Sequence, residues 1–456
     1  MMSLMPWLSI LVLCYCGYLL IQRKQTHMVL LFTGLVMLVI AILFGVTNFL
    51  PKGVKTSGLV WFDIFDLLRT ISTKQVAGTG FLIMTAGGFA GYMDRIGAAK
   101  SLVNVCINPL RKLSQPYVVL VLGYLIGHSL VTVIPSAAGL AMLLLVALFP
   151  ILRGVGVSAA AAGAVIATTG SIGFAPTAGT ANLAAKTAGL DPIIYLVQYQ
   201  LPVALCVLAA VAVTHYFVQK YYDNKNDDNY VEMQELKPVD APDAPAWYAL
   251  FPILPIFLMI IFSKLVYSGI KLNTISALLM VWMFVVVIEL IRHRDMKKVF
   301  GDAIIFYKKM GALFASIVAL IICAEFFAAG LKATGVVSLL IDSAQGLGLG
   351  MGGMTAVLTS IVGAVTFLTG SGVGAYSSFA ALAPDVAAGL GGQAAAIVTP
   401  MQFASGILRA MSPVAGVVIA VAGAVGVSPR GIVRRTCIPM GVAFVVTLVV
   451  NWILFI

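Results

Sequence analysis

Apolar stretches of about 20 residues recur along this chain from one end to the other, each long enough to cross a hydrocarbon core as a helix. That recurrence leaves no room for a sizeable water-soluble domain between them. Apolar residues fill 61% of the 456 positions and charged residues 10%, too little polar surface to face water on all sides. Lipid is therefore the expected solvent, and the fold class is an all-α polytopic membrane protein. Met1 to Ile21 has no basic segment ahead of its apolar run and no small-x-small site behind it, so it reads as a retained first helix. The formal charge of +11 does not imply nucleic acid, because the basic residues sit in short clusters between apolar spans. Cys14, Cys16, Cys106, Cys206, Cys323 and Cys437 lie in apolar stretches without ligand-like spacing and read as buried thiols.

The chain carries one plan twice. Pro176/Pro413, Gly179/Gly416, Gly189/Gly426, Pro192/Pro429 and Pro202/Pro439 all share an offset of 237 positions. Phe89/Phe327 and Gly97/Gly335 are offset by 238, Pro150/Pro384 by 234 and Trp7/Trp247 by 240, as small insertions produce. The first repeat is expected over 1–220, with spans in 1–93, an interfacial helix at 98–112, a hairpin at 116–151, a broken helix at 155–190 and a closing span at 194–220. Within those first spans, Trp61 to Ile71 reads as a separate amphipathic piece before a span at 76–93. A cytoplasmic linker takes 221–246. The second repeat, 247–456, has spans in 247–331, an interfacial helix at 335–345, a hairpin at 351–390, a broken helix at 393–427 and a closing span at 432–455. Small residues interrupt the hairpins at Pro135–Gly139 and Gly370–Gly374, and the helix breaks are expected at Thr169–Pro176 and Ser405–Pro413. With re-entrant hairpins each repeat crosses five times, and an odd count inverts the second copy, a recurring plan among secondary transporters.

Charge supports the inverted arrangement. With ten crossings and an outside N-terminus, 19 of the 28 Lys and Arg residues fall on the cytoplasmic side and 8 on the other, the bias expected of an inner-membrane protein with both termini periplasmic. The residue left over is Arg409, within Ser405-Gly406-Ile407-Leu408-Arg409-Ala410-Met411-Ser412-Pro413. A guanidinium at membrane depth costs about 3 kcal/mol or more, and its planar fork of donors matches a carboxylate. Two readings stand for Arg409: anion binding, or a structural ion pair with Glu325, the clear mid-span acid. Glu325 itself reads either as a proton- or ion-coupling carboxyl or as a paired structural residue.

Hairpin tips and helix breaks leave backbone N–H groups whose partial positive charge draws anions. Glycine admits close approach, and Ser or Thr adds a hydroxyl donor. The candidate substrate-binding set is Ser136, Thr168, Thr169, Ser171, Thr369, Gly370, Ser371, Gly372, Ser405, Arg409 and Ser412, with Pro176 and Pro413 marking where the broken helices restart. For any single small residue here, tight helix packing is the competing explanation. His27, His128, His215 and His293 are scattered without metal-binding spacing and read as interfacial, so neither a metal nor a cofactor is expected.

Arg95-Ile96-Gly97-Ala98, Ser412-Pro413-Val414-Ala415-Gly416-Val417-Val418, and Val427-Ser428-Pro429 through Arg434-Arg435-Thr436 resemble the anaerobic C4-dicarboxylate transporter family in its DcuC-like branch, over nearly the whole chain. The resemblance implies transport of succinate, fumarate or malate across a bacterial inner membrane by exchange, uptake or efflux. It implies an elevator-type ion-transporter superfamily fold, in which a scaffold domain dimerises and a transport domain moves. One segment departs from the pattern: after Gly-Ser-Gly the family usually continues Asn-Ala-Pro-Phe, and this chain has Val373-Gly374-Ala375-Tyr376, which leaves another small carboxylate open as substrate. Uptake requires co-transported protons or cations, whereas exchange does not. The rival from another class is an intramembrane serine hydrolase with Ser371 as nucleophile, whose base would have to be His128 from the opposite half.

Overall fold

The computed structural model describes residues 4–22, 24–51, 53–175, 178–225, 244–262, 267, 269–270 and 272–456. Pro176, the linker residues 226–243, and Arg23, Lys52, Lys237, Lys264 and Lys271 of the charge pattern lie outside them. Among the described residues, eight helical runs are long and apolar enough to cross a membrane.

The first half comprises α1 (Met5–Ile21), α2 (Thr26–Leu43), α3 (Val60–Gln75), α4 (Phe81–Arg95), α5 (Ala98–Ile107), α6 (Pro116–Leu130), α7 (Ala137–Ala147), α8 (Phe149–Gly154), α9 (Ala159–Thr168), α10 (Gly179–Thr187), α11 (Pro192–Tyr195) and α12 (Leu201–Lys225). The second comprises α13 (Leu254–Ile261), α14 (Thr274–His293), α15 (Met296–Ala303), α16 (Ile305–Leu313), α17 (Ala319–Ala333), α18 (Val336–Gly346), α19 (Gly350–Thr369), α20 (Gly372–Ala380), α21 (Ala383–Gly389), α22 (Ala394–Met411), α23 (Gly416–Val425) and α24 (Pro429–Phe455). Local features recur at the landmark positions. Gly97 and Gly335 both take positive φ (78° and 73°) ahead of α5 and α18, and Gly189 and Gly426 both do so (70° each) after α10 and α23. Contacts are exchanged between the halves: α2 packs on α17 while α14 packs on α4, and α10 packs on α22 while α23 packs on α9. Such reciprocal pairing is the mark of an approximate two-fold relation.

α3, the amphipathic piece, and α4, the span expected after it, meet at a kink within Val76–Gly80, where Gly78 leaves helical geometry at φ −99° and ψ −112°. The equivalent segment in the second half, Phe314–Val318, is π-helical. The two lie against each other, since a Cβ added to Gly80 would come 2.6 Å from Val318 Cγ1.

Two bodies of apolar packing support the site. The larger unites α5 to α9, α12 and α22 to α24 around Tyr124, Leu144, Val207, Val421 and Met440. α9 sits at its centre with all ten residues buried, which its Ala- and Gly-rich sequence permits because small side chains let neighbouring backbones close in. The second body packs α10 and α19 to α22 around Tyr195, Tyr376 and Met401. The cysteines depart from expectation: Cys16 and Cys323 are buried, but Cys14 and Cys206 are exposed on helix faces that the chain's own packing does not cover.

Candidate functional site

Each half presents a helix–turn–helix whose turn ends in a serine N-cap. Ser136 Oγ accepts the Gly139 N–H at 3.1 Å, and Ser371 Oγ accepts the Gly374 N–H at 3.3 Å. The capping hydroxyl satisfies one amide and leaves the rest of the first turn available. Both serines are exposed. Thr369 Oγ1 donates to the Val365 carbonyl and accepts the Ser371 N–H at 3.2 Å, while Gly370, at φ 73°, turns the chain.

The four small-residue elements meet. A Cβ added to Gly170 would lie 2.6 Å from Ala137 Cβ, so the first break touches the first tip. One added to Gly370 would lie 2.8 Å from the Val414 carbonyl oxygen, and one on Gly372 would drive into the Ser405 carbonyl, so the second tip touches α22 and the second break. One on Gly406 would drive into the Ser171 carbonyl, which joins the two halves. Across this junction Arg409 Nη2 donates to the Gly170 carbonyl at 2.7 Å. Arg409 is part-buried, and among the described residues it has no carboxylate within ion-pair distance and no second acceptor.

The remaining candidates divide by what their hydroxyls do. Thr168 bonds the Ala164 and Val165 carbonyls and His215 Nε2 (3.0 Å), and Thr169 bonds the Ile166 carbonyl. Ser405 donates to Gln402 O and Ser412 to Phe367 O at 2.6 Å. These four hydroxyls fasten backbone. Ser171 differs: it is 1% exposed, stands beside the Tyr124 hydroxyl, and its Oγ meets no partner among the described residues.

Several expectations need correction. The second break begins only at Ser412; Ser405 and Arg409 lie within α22, because the run Ala394 to Met411 has strong helix formers and tolerates Pro400 with its neighbours packed around it. Glu325 is not the partner of Arg409. It lines a cavity of about 630 Å³ with Lys74, Lys186 and Lys332, a set that does not include Arg409. A second guanidinium is buried: Arg435, counted with the cytoplasmic residues, is 1% exposed and pairs with Asp223 at 2.6 Å. His128 and His215 are fully buried rather than interfacial. His128 Nε2 bonds the Ile172 carbonyl at 2.9 Å and the ring stacks on Phe174, holding the first break. Ser371 and His128 share no hydrogen bond among the described residues. Gln402, unremarked in the sequence, donates to Gly173 O at 2.7 Å and accepts from Gln200 at 3.1 Å; an amide inside an apolar span was the available signal.

The C4-dicarboxylate anaerobic carrier family, DcuC, matches residues 5–456. The chain belongs to this family. Its DcuC relatives include the Vibrio cholerae protein named probable anaerobic C4-dicarboxylate transporter DcuC, 32% identical over 96% of this chain and 95% of that one. The Escherichia coli anaerobic C4-dicarboxylate transporter DcuC is 32% identical over 92% and 90%. Neisseria gonorrhoeae MtrF, described with a class of antimetabolite efflux pumps, shares the fold with a TM-score of 0.65 at 13% identity, covering 94% of this chain and 95% of MtrF. A DcuC family chain with eight helical runs fit to cross a membrane among its described residues is a multi-pass membrane transport protein.

Proposed function

We propose that this chain is a secondary transporter of C4-dicarboxylates such as succinate, fumarate and malate, and that the junction around Arg409 is where the anion binds. The observation that carries the reading is a guanidinium with one bond to backbone and no acidic partner among the described residues, set where tips and breaks of both halves meet. One carboxylate of the substrate takes the open donors of Arg409; the other takes N–H groups and hydroxyls of a tip, Ser371 or Ser136, with Ser171 adding a donor. Binding neutralises the guanidinium, and the hairpin and broken-helix body then carries the closed site across the membrane against α1–α4 and α13–α17. The two halves are inverted repeats with the N- and C-termini periplasmic, and the protein works as an inner-membrane homodimer; the charge bias supports the orientation and the family resemblance the assembly. Uptake draws on protons or cations, with Glu325 as the coupling carboxyl.

Counterflow in proteoliposomes with mono-, di- and tricarboxylates, run with and without a pH gradient, tests the reading. Accumulation of labelled succinate driven by internal dicarboxylate is the expected result; no response to any dicarboxylate overturns it. Val373-Gly374-Ala375-Tyr376 beyond the second tip favours one alternative, another small carboxylate as preferred substrate, which the same panel ranks.

A further inference from the structure

The cavity that holds Glu325 has features of an anion site of its own. It lies between the hairpin and broken-helix body, which supplies Lys186 of α10 and Ser377 of α20, and the long flanking helices, which supply Lys74 of α3 and Glu325 and Lys332 of α17. Lys332 is paired with Asp385 at 2.8 Å and stands at the rim. Lys186 Nζ gives one bond to Gln75 Oε1 at 2.6 Å and keeps two N–H groups. Lys74 and Glu325 make no hydrogen bond or ion pair among the described residues, so these charges face each other across space rather than in contact. Ser377, 3% exposed, lines the same cavity with an Oγ that meets no partner among the described residues. A buried hydroxyl without a bond is costly unless a ligand or water completes it.

With Lys332 answered by Asp385, the cavity holds Lys74 and Lys186 against Glu325, a net positive space suited to a small carboxylate. Two helices run from the Arg409 junction to the cavity. α20 starts at the Ser371 cap and ends at Ala380, which lines the cavity; nine residues of helix at 1.5 Å each span about 13 Å. α10 likewise leads from the first break to Lys186.

We propose that this cavity is a vestibular carboxylate-binding site, where Lys74 and Lys186 clasp the anion and Ser377 donates to it before the anion moves on to Arg409. The proposal rests on the carboxylate-transport reading. Positive charge around a cleft raises local anion concentration and the rate of capture, and salt weakens it.

The test measures succinate counterflow from each membrane face for the wild type, Lys74→Gln, Lys186→Gln and Ser377→Ala, over a chloride series. Lys74 is exposed, so its variant keeps the fold. The expected result is a KM raised roughly three- to tenfold from one face only in each lysine variant, with Vmax within about twofold and with weaker inhibition by chloride; Ser377→Ala shifts KM in the same direction. Unchanged KM and unchanged chloride dependence in variants whose wild type transports succinate overturn the vestibule and leave the transport reading intact. A wild type inert toward every carboxylate removes both. A fall in Vmax at constant KM also overturns the vestibule, because it marks the lysines as packing or hinge residues.

Discussion

At the scale of single residues, hydroxyls that fasten backbone and hydroxyls left unspent should respond differently to removal. Ser171→Ala deletes a buried oxygen that makes no hydrogen bond among the described residues. Removing an unsatisfied buried polar group is neutral or stabilising, so the variant is expected to keep the wild-type melting temperature in detergent while its succinate KM rises several-fold. Equal KM would take Ser171 out of the site. Ser412→Ala strips the Phe367 carbonyl of its 2.6 Å donor and should cost about 1–3 kcal/mol of stability, visible as a lower melting temperature. Arg409 was legible because charge arithmetic leaves one cation without a membrane face. Its separation from Glu325 was not, since helix pairing across the halves decides which mid-span residues meet. His128 and His215 were hidden because packing within the first half supplies their partners: Ile172 and Thr168 lie 44 and 47 residues away in sequence.

At the scale of elements, the tips and breaks depend on close approach of backbones. Gly372 faces the Ser405 carbonyl and Gly406 the Ser171 carbonyl, with no space for a Cβ. Gly372→Ala and Gly406→Ala must push main chain apart, which costs about 1–3 kcal/mol or more, so both variants should lose transport along with thermal stability. Wild-type flux in either would mean that the tip and α22 need not touch. Small-residue runs mark the turns before α7 and α20 and the gaps after α9 and α22. The start of the second gap was not readable, because Ser405 and Gly406 look like break residues until the continuous apolar burial of α22 is seen. The kink at Gly78 and the π-helical Phe314–Val318 were not readable either: the two segments pack together, a contact absent from either one's own pattern.

At the scale of the whole molecule, the exchange of α2 with α14 and of α10 with α23 is what the proposed duplicated plan calls for, and the charge bias is the ground for the proposed orientation in the membrane. Single cysteines should report this. Lys55→Cys and Lys332→Cys are expected to react with a membrane-impermeant maleimide from outside intact cells, and Lys112→Cys and Lys298→Cys only after permeabilisation, with the exposed native Cys14 and Cys206 replaced by serine beforehand. Labelling of Lys298→Cys and Lys332→Cys from the same face would break the inverted arrangement. The central claim is narrower than topology: one guanidinium between the halves holds the substrate. Equilibrium binding of labelled succinate to purified wild type and Arg409→Gln, at matched melting temperature, tests it most directly. Saturable binding by the wild type, displaced by fumarate and absent in the variant, is predicted; binding of equal strength by a folded Arg409→Gln variant would contradict it.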